Sequence, residues 1–142
     1  SPMTYSEQET IERILREAHN VAVVGLTDDA SKPGNFVPAY LQANGYHIMP
    51  VNPTLSGRVL GEPVYASLAD VPEPIDVVQI FRRSDAVGPI VDEAIAAGAK
   101  AVWMQLGIRN DEAAAKARAA GLDVVMNQCM KVQHMRLNST MI

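Results

Sequence analysis

The stretch from Val21 to Pro53 constrains the fold more than any other part of this chain. It opens with an apolar, valine-rich run, Val21 to Leu26, which is typical of a strand buried on both faces of a parallel sheet. A polar loop follows, then a predicted helix from about Asn35 to Asn44 that Gly45 ends, and a second apolar run from Tyr46 to Val51. The loop therefore faces a helix N-terminus, where unpaired N–H groups and the helix dipole favour an anion. We expect the phosphate of a nucleotide there.

The remaining sequence continues the alternation of strands and helices. An N-terminal helix is predicted over Thr4–His19, with a capping box of Ser6 and Glu9. The further strands are predicted around Val64-Tyr65, where the strand is very short, and over Ile75–Phe81, Ala101–Leu106 and Val124–Met126. The further helices are predicted over Ser84–Ala97 and Asn110–Ala120, with one or two helical turns within Cys129–Leu137. This order predicts an α/β fold: a Rossmann-like, doubly wound, mainly parallel sheet with helices on both faces. We expect a single domain over residues 21–137, with a helix over 1–20 packed on it and a tail over 138–142.

The carboxyl ends of the predicted strands are the expected ligand site, because open α/β sheets bind ligands where the strand order reverses. Four segments that are distant in sequence should meet there: Gly25-Leu26-Thr27, Asn52-Pro53, Phe81-Arg82 and Gln105-Leu106-Gly107. The glycine at position 25 lets a ligand approach the backbone or lets the chain turn sharply. The arginine at position 82 offers the fork of donors that suits phosphate.

The sequence lacks the signatures of the commonest nucleotide sites. A dinucleotide fingerprint requires G-x-G-x-x-G and an acidic residue about twenty positions later. Only Gly25 and Gly34 are present, well apart, and the second strand ends in Val51-Asn52-Pro53 without a carboxylate. No P-loop is present either. These absences argue against nicotinamide chemistry, although an NAD(P)-dependent oxidoreductase or a nucleotide-sugar-type Rossmann enzyme stays an alternative.

Several blocks of the chain together resemble a known family. They are VAVVGLT, SKPGNFVPAYL, GYHIMPVNP, LGEPVYASLADVP, IDVVQIFRRSD and the long stretch from AIAAGAKAVWMQLG to KVQHMRL. The combination of V-N-P, F-R and W-M-Q-x-G is similar to that of the small single-domain CoA-binding proteins. Those proteins are in turn similar to the N-terminal CoA-binding domain of the succinyl-CoA synthetase α subunit. The resemblance covers roughly nine-tenths of the chain, and the combination is far more specific than any single block.

The resemblance implies a CoA-binding Rossmann-like domain with coenzyme A as its ligand. Together with the strand-end argument, it gives a predicted site of Gly25, Leu26, Thr27, Lys32, Pro33, Gly34, Asn35, Val51, Asn52, Pro53, Phe81, Arg82, Gln105 and Gly107. Two departures concern charge. Lys32 stands where arginine is common, which loses bidentate phosphate geometry, and Asp28 and Asp29 place negative charges in a loop expected to face phosphates.

No catalytic machinery is recognisable in the sequence. It contains no evident nucleophile–base pair or carboxylate pair, and His19, His47 and His134 lack metal-ligand spacing. Cys129 is interpreted as a small, buried or partly buried side chain, to which the sequence assigns no role. The expected function is binding of CoA or an acyl-CoA. Two alternatives stay open: the dehydrogenase, and a CoA-binding subunit that acts in trans with an acyl-CoA synthetase partner. A homo-oligomer is also left open.

Composition limits the setting and the partners. A net charge of −4 gives no general attraction to nucleic acid or to anionic membranes. The single cysteine excludes an intrachain disulfide and fits a reducing compartment. No apolar run has the length of a bilayer span, and the N-terminus lacks the apolar region of a signal peptide. We therefore expect a cytoplasmic protein, and we interpret Ser1-Pro2 before Met3 as an expression scar.

Overall fold

The computed structural model describes residues 5–140 of the chain, and the side chains of residues 6–139. The Ser1-Pro2 pair, the predicted helix start at Thr4 and the last two residues of the predicted tail lie outside this range. The strands are β1 (Asn20–Val24), β2 (His47–Val51), β3 (Arg58–Val59), β4 (Glu62–Pro63), β5 (Val77–Ile80), β6 (Ala101–Met104) and β7 (Asp123–Val125). The helices are α1 (Tyr5–Glu17), α2 (Pro33–Ala43), α3 (Val87–Ala96), α4 (Asp111–Ala119) and α5 (Met130–Thr140).

Five strands form one parallel sheet in the order β2-β1-β5-β6-β7. Val21 of β1 pairs with Ile48 on one side and with Val77 on the other. The chain winds away from β1 in both directions, so the strand order reverses between β1 and β5, and a crevice opens at their carboxyl ends. β3 and β4 form a separate antiparallel pair. The predicted Rossmann-like, doubly wound fold is confirmed.

Helices cover both faces of the sheet because successive strand side chains point to opposite faces. Ala22 and Val24 of β1 belong to a core that α3 and α4 cover. Val21 and Val23 belong to a second core that α1, α2 and α5 cover. Trp103 on β6 is fully buried in that second core. Within residues 5–140, none of the helices combines the length and apolarity needed to cross a bilayer.

Sequence signals for helix starts were correct at one position and wrong at three. Asn110 caps α4, since its Oδ1 accepts a hydrogen bond from the N–H of Ala113 at 2.9 Å. Ser6 lies inside α1 and so does not cap it. α2 begins at Pro33 rather than Asn35, because proline fits the first helical position, where no N–H is needed. Ser84 caps nothing; its Oγ instead accepts from the N–H of Arg109 at 3.0 Å, and a short 3-10 turn precedes α3.

Two segments extend differently from their predictions. α5 runs for eleven residues to Thr140, so it is longer than the predicted one or two turns, and residues 138–140 continue the helix instead of forming a tail. The polar sequence of α5 gave little sign of this, because its stability depends on packing against α1 and α2 rather than on local propensity. The short strand expected at Val64-Tyr65 lies two residues earlier, at Glu62–Pro63, although Tyr65 forms a parallel bridge with Val51.

Candidate ligand-binding site

A cavity of about 810 Å³ opens at the carboxyl ends of β1 and β5, within the range usual for small-molecule sites. We call it the cleft. Its lining residues are Gly25, Thr27, Lys32, Pro33, Gly34, Phe36, Val37, Asn52, Phe81, Arg82, Arg83, Gln105, Leu106, Ile108 and Cys129. Most of these residues come from the four segments that were expected to converge and from α2. The others are Lys32, Arg83, Ile108 and Cys129, of which Lys32 directly precedes α2 and Cys129 directly precedes α5.

Close packing, rather than room for a ligand, explains the glycine at position 25. Its φ is +89°, a conformation that favours glycine, and a Cβ there would lie 2.4 Å from the carbonyl oxygen of Phe81. Gly34 packs closely on the same point, because a Cβ on it would lie 3.2 Å from the carbonyl oxygen of Gly25. The two glycines therefore let β1, the end of β5 and the start of α2 meet at the base of the loop.

Two buried asparagines hold the loop after β1 through its carbonyl groups. Asn52 Nδ2 donates to the carbonyl of Leu26 at 2.9 Å, and Asn35 Nδ2 donates to the carbonyl of Thr27 at 2.8 Å. Both side chains belong to residues that are less than a tenth exposed. The Oδ1 atom of Asn52 also accepts from the N–H and the hydroxyl of Thr54, at 2.9 and 2.7 Å. The amides thus fix the loop conformation before any ligand arrives.

The acidic residues of the loop do not line the cleft. Asp29 folds into a local turn, in which its Oδ1 accepts from the hydroxyl of Ser31 at 2.6 Å and from the Ser31 N–H at 3.0 Å. These two hydrogen bonds, with a smaller contribution from the charge of Lys32, lower the pKa of Asp29. Asp28 is exposed and is likewise absent from the lining of the cleft. The concern that both carboxylates would repel a phosphate is therefore reduced by their placement.

Cationic groups and one backbone donor surround the entrance to the cleft. Lys32, directly before α2, and Arg82, directly after β5, form no salt bridge with any residue whose side chain the structure describes. Arg83 has a partner, Asp85, at 3.4 Å, but both side chains are largely exposed. The N–H of Gly34, in the first turn of α2, donates to no group within residues 5–140. This combination suits a phosphate group.

Apolar side chains occupy another part of the same lining. Phe36 is 41% exposed and Leu106 is 67% exposed, so two large apolar side chains face solvent within the same lining. Val37, Ile108 and the half-buried Phe81 extend the apolar lining. A ligand that covers this surface must carry apolar or aromatic groups as well as negative charge.

The structure brings together most, though not all, of the predicted site residues. The nine that line the cleft are Gly25, Thr27, Lys32, Pro33, Gly34, Asn52, Phe81, Arg82 and Gln105. The five that do not are Leu26, Asn35, Val51, Pro53 and Gly107. Leu26 and Val51 are core residues, Asn35 supports the loop, Pro53 is exposed, and the N–H of Gly107 donates to Asn127 Oδ1 at 2.7 Å.

Sequence reasoning missed six residues that line the cleft: Phe36, Val37, Arg83, Leu106, Ile108 and Cys129. Leu106 belongs to a strand-end segment that was expected to converge but is not in the predicted site, and Arg83 directly follows Arg82, which is in it. Phe36 and Val37 could have been found from the first turn of the helix that follows the loop. For Ile108 and Cys129 the sequence offered no signal, because the packing of α5 brings the cysteine to the cleft.

The comparison with protein families decides the classification of this chain. The model of the family described as CoA binding domain matches residues 19–135. The chain belongs to this CoA-binding family. The resemblance inferred from the V-N-P, F-R and W-M-Q-x-G blocks is thereby confirmed. The match includes every residue that lines the cleft.

Relatives of the chain include single-domain proteins and part of a larger enzyme. The uncharacterized protein YneT of Bacillus subtilis is 37% identical over 124 residues, which are 87% of this chain and 91% of YneT. A hypothetical protein of Pyrococcus horikoshii, of known structure, is 40% identical with a TM-score of 0.88 and covers 92% of each chain. A dinucleotide-forming acetyl-coenzyme A synthetase of Ca. Korarchaeum cryptofilum is 28% identical with a TM-score of 0.68, over 80% of this chain but only 26% of the synthetase.

Proposed function

We propose that this chain binds coenzyme A or an acyl-CoA in the cleft. The observation that supports this most directly is the combination of cations without salt bridges, Lys32 and Arg82, with the exposed apolar side chains of Phe36 and Leu106 around one cavity. CoA has both kinds of group: a diphosphate, a 3′-phosphate, an adenine ring and a pantetheine arm. Membership of the CoA-binding family supports the same ligand.

Each group of the cleft has a part in this proposal. The N–H of Gly34 and the side chains of Lys32 and Arg82 hold phosphate oxygens, in the way helix N-termini and cationic side chains do elsewhere. Phe36, Phe81 and Leu106 cover the apolar parts of the ligand. Asn35 and Asn52 keep the loop in place, since their amides bind its carbonyl groups and leave its outer surface to the ligand. The likeness to one part of a synthetase supports, as the partner, a separate protein that metabolises acyl-CoA.

Calorimetric titration with CoA, acetyl-CoA, NAD and NADP tests the ligand class. We expect CoA to bind and NAD to bind weakly or not at all, because no acidic residue follows β2 to hold the ribose of a dinucleotide. Lys32→Ala and Arg82→Ala should each weaken CoA binding by about 1–3 kcal/mol, the usual worth of a hydrogen bond to a charged group. Affinity should also fall as salt is raised.

The matched control is Arg118→Ala, which removes one exposed positive charge from α4, outside the lining of the cleft. It should leave the CoA affinity unchanged. Tighter binding of NAD than of CoA would overturn the assignment of the ligand. Unchanged CoA affinity in both Lys32→Ala and Arg82→Ala would place the phosphates elsewhere.

A further inference from the structure

The only cysteine of the chain lies in the cleft, a position that was not predicted from the sequence. Cys129 is partly exposed and directly precedes α5, since the N–H of Gln133 donates to its carbonyl at 3.0 Å. The residue before it is held from two sides. Trp103 Nε1 donates to the Gln128 carbonyl at 2.8 Å, and Gln133 Nε2 donates to Gln128 Oε1 at 2.8 Å. The thiol therefore occupies a defined place in the wall of the cleft.

A second, independent feature of the same wall points to a ligand. Gln105 lines the cleft and is only 4% exposed. Its Oε1 already has two protein partners: it accepts hydrogen bonds from the N–H of Met130 at 3.1 Å and from Gln79 Nε2 at 3.3 Å. Its Nε2 has no hydrogen-bond partner among residues 5–140. This amide group is therefore free to donate to an acceptor that a ligand in the cleft supplies.

The chemistry of the pantetheine arm matches this pair of groups. The arm carries two amide carbonyls, which can accept from Gln105 Nε2, and it ends in a thiol. Met130, whose N–H holds Gln105 Oε1, is the residue next to Cys129, so the donor and the cysteine belong to one hydrogen-bonded unit. Lys32 and Arg82, proposed above to hold the phosphates, line the same cavity as Gln105 and Cys129, so a single cleft contains both groups of contacts.

We propose that Cys129 is a site of thiol–disulfide exchange with bound coenzyme A, so that the protein can carry CoA as a mixed disulfide. This inference rests on the proposed function. The Cys129 thiolate attacks the CoA-side sulfur of a disulfide between CoA and a second thiol. The Cys129–S–S–CoA bond forms, the original S–S bond breaks, and the second thiol leaves as a thiolate, which takes up the proton that Cys129 lost. The co-reactant is the CoA disulfide itself, and a thiol reductant reverses the step.

Binding of the nucleotide part should make this reaction selective. A group tethered by a short flexible arm has an effective concentration of the order of millimolar. At a reagent concentration of about 10 μM, a CoA disulfide held in the cleft should therefore modify Cys129 roughly 100-fold faster than glutathione disulfide does. Without a directing site, the two disulfides should react at similar rates.

Intact-mass spectrometry over time measures both rates on the whole chain. We expect one CoA adduct per chain with CoA disulfide, slowed by an excess of desulfo-CoA, which has no thiol. Lys32→Ala should slow the formation of this adduct, whereas the matched control Arg118→Ala should not. Equal rates with CoA disulfide and glutathione disulfide, or no protection by desulfo-CoA, would overturn the proposal.

Calorimetric titration of Cys129→Ser with desulfo-CoA separates the two levels of inference. One outcome is that desulfo-CoA binds Cys129→Ser while the unmodified chain reacts equally fast with CoA disulfide and glutathione disulfide. This outcome would support CoA binding and reject only the exchange at Cys129. Absence of binding would reject the proposed function and the exchange with it.

Discussion

At the scale of single residues, the cleft depends on backbone positions that a side chain would disrupt. Gly25 combines a φ of +89° with a backbone neighbour, the Phe81 carbonyl, 2.4 Å from where a Cβ would lie. The clash involves main-chain atoms of two adjacent strands, so a rotamer change cannot relieve it. Replacing Gly25 therefore tests the stability of the strand junction as well as ligand binding. A valine there would meet the same main-chain clash and would disturb the strand junction as well as the cleft.

Gly25→Ala should lower the free energy of unfolding by about 2–4 kcal/mol, because it adds steric overlap to the cost of a left-handed backbone conformation. The matched control is Gly121→Ala, whose φ of +90° is nearly the same but whose Cβ would have no neighbour within 4 Å. That variant should lose only about 1–2 kcal/mol. Urea unfolding measures both. Equal losses in the two variants would show that conformation alone, and not the approach of Phe81, makes glycine necessary at position 25.

At the scale of elements, side-chain amides connect α2 and β2 to the loop after β1. Asn35 belongs to the first turn of α2 and Asn52 directly follows β2, yet both donate to carbonyl groups of the loop. Asn35 does not line the cleft, so any effect of this residue on the ligand must act through the loop. It is a positioning residue in the proposed CoA site.

Asn35→Ala should weaken CoA binding by about 1 kcal/mol, because the released Thr27 carbonyl lets the loop leave its binding conformation. Asn44→Ala is the matched control. Asn44 lies at the other end of α2, and its Nδ2 donates to the Tyr40 carbonyl at 2.8 Å, so the change removes the same kind of hydrogen bond from the same helix. Calorimetry should show unchanged CoA affinity for Asn44→Ala. A loss of stability in Asn35→Ala without any loss of affinity would limit Asn35 to a structural role.

At the scale of the whole molecule, aromatic and imidazole rings connect α2 and α5 with Tyr46, the residue directly before β2. The Tyr40 hydroxyl and His134 Nδ1 are 2.8 Å apart, and the rings of Tyr40 and Tyr46 both meet His134 edge to face. The Tyr46 hydroxyl donates to the carbonyl of Leu15 in α1. Burial raises the pKa of Tyr46 to about 12, with a smaller contribution from Tyr40. The cluster thus joins α5, which directly follows the cleft residue Cys129, to the rest of the second core.

His134 should make the stability of the whole fold depend on pH. Burial lowers the pKa of His134 below its ordinary value of 6.5, so the unfolded chain binds a proton more readily there than the folded chain does. Stability contributed by neutral His134 is therefore fully present above pH 6.5 and falls as pH decreases from 6.5 toward the lower pKa of the folded state. The loss is at most about 1.4 kcal/mol per pH unit.

Urea unfolding between pH ~8 and ~5 measures this dependence. His134→Phe keeps an aromatic ring against Tyr40 and Tyr46 but cannot be protonated, so its unfolding free energy should fall less as the solution is acidified. An identical pH dependence in His134→Phe and the unmodified chain would assign the titration to other groups.

Much of the architecture followed from the sequence because the responsible interactions are local. Apolar runs such as Val21–Leu26 and helical periodicity are written into short stretches, and they were sufficient to predict the order of strands and helices and the Rossmann-like fold. The same holds for Asn110, whose cap bond reaches only three residues along the chain. The strand ends Gly25-Leu26-Thr27 and Phe81-Arg82 supplied four of the residues that line the cleft, because parallel strands bring their carboxyl ends to one edge.

Tertiary structure decided what depends on contacts between distant segments. Cys129 faces the cleft only because α5 packs on α1 and α2, and no local pattern around it encodes that packing. Asn35 and Asn52 look like ligand contacts in the sequence, but both bind carbonyl groups of the loop after β1, eight and twenty-six residues away. Asn52 also lines the cleft, whereas Asn35 does not. Ser84 is a residue type that often caps helices, but its hydroxyl oxygen accepts a hydrogen bond from the N–H of Arg109, twenty-five residues away. Sequence patterns record local preference, whereas these hydrogen-bond partners are chosen when the strands and helices come together.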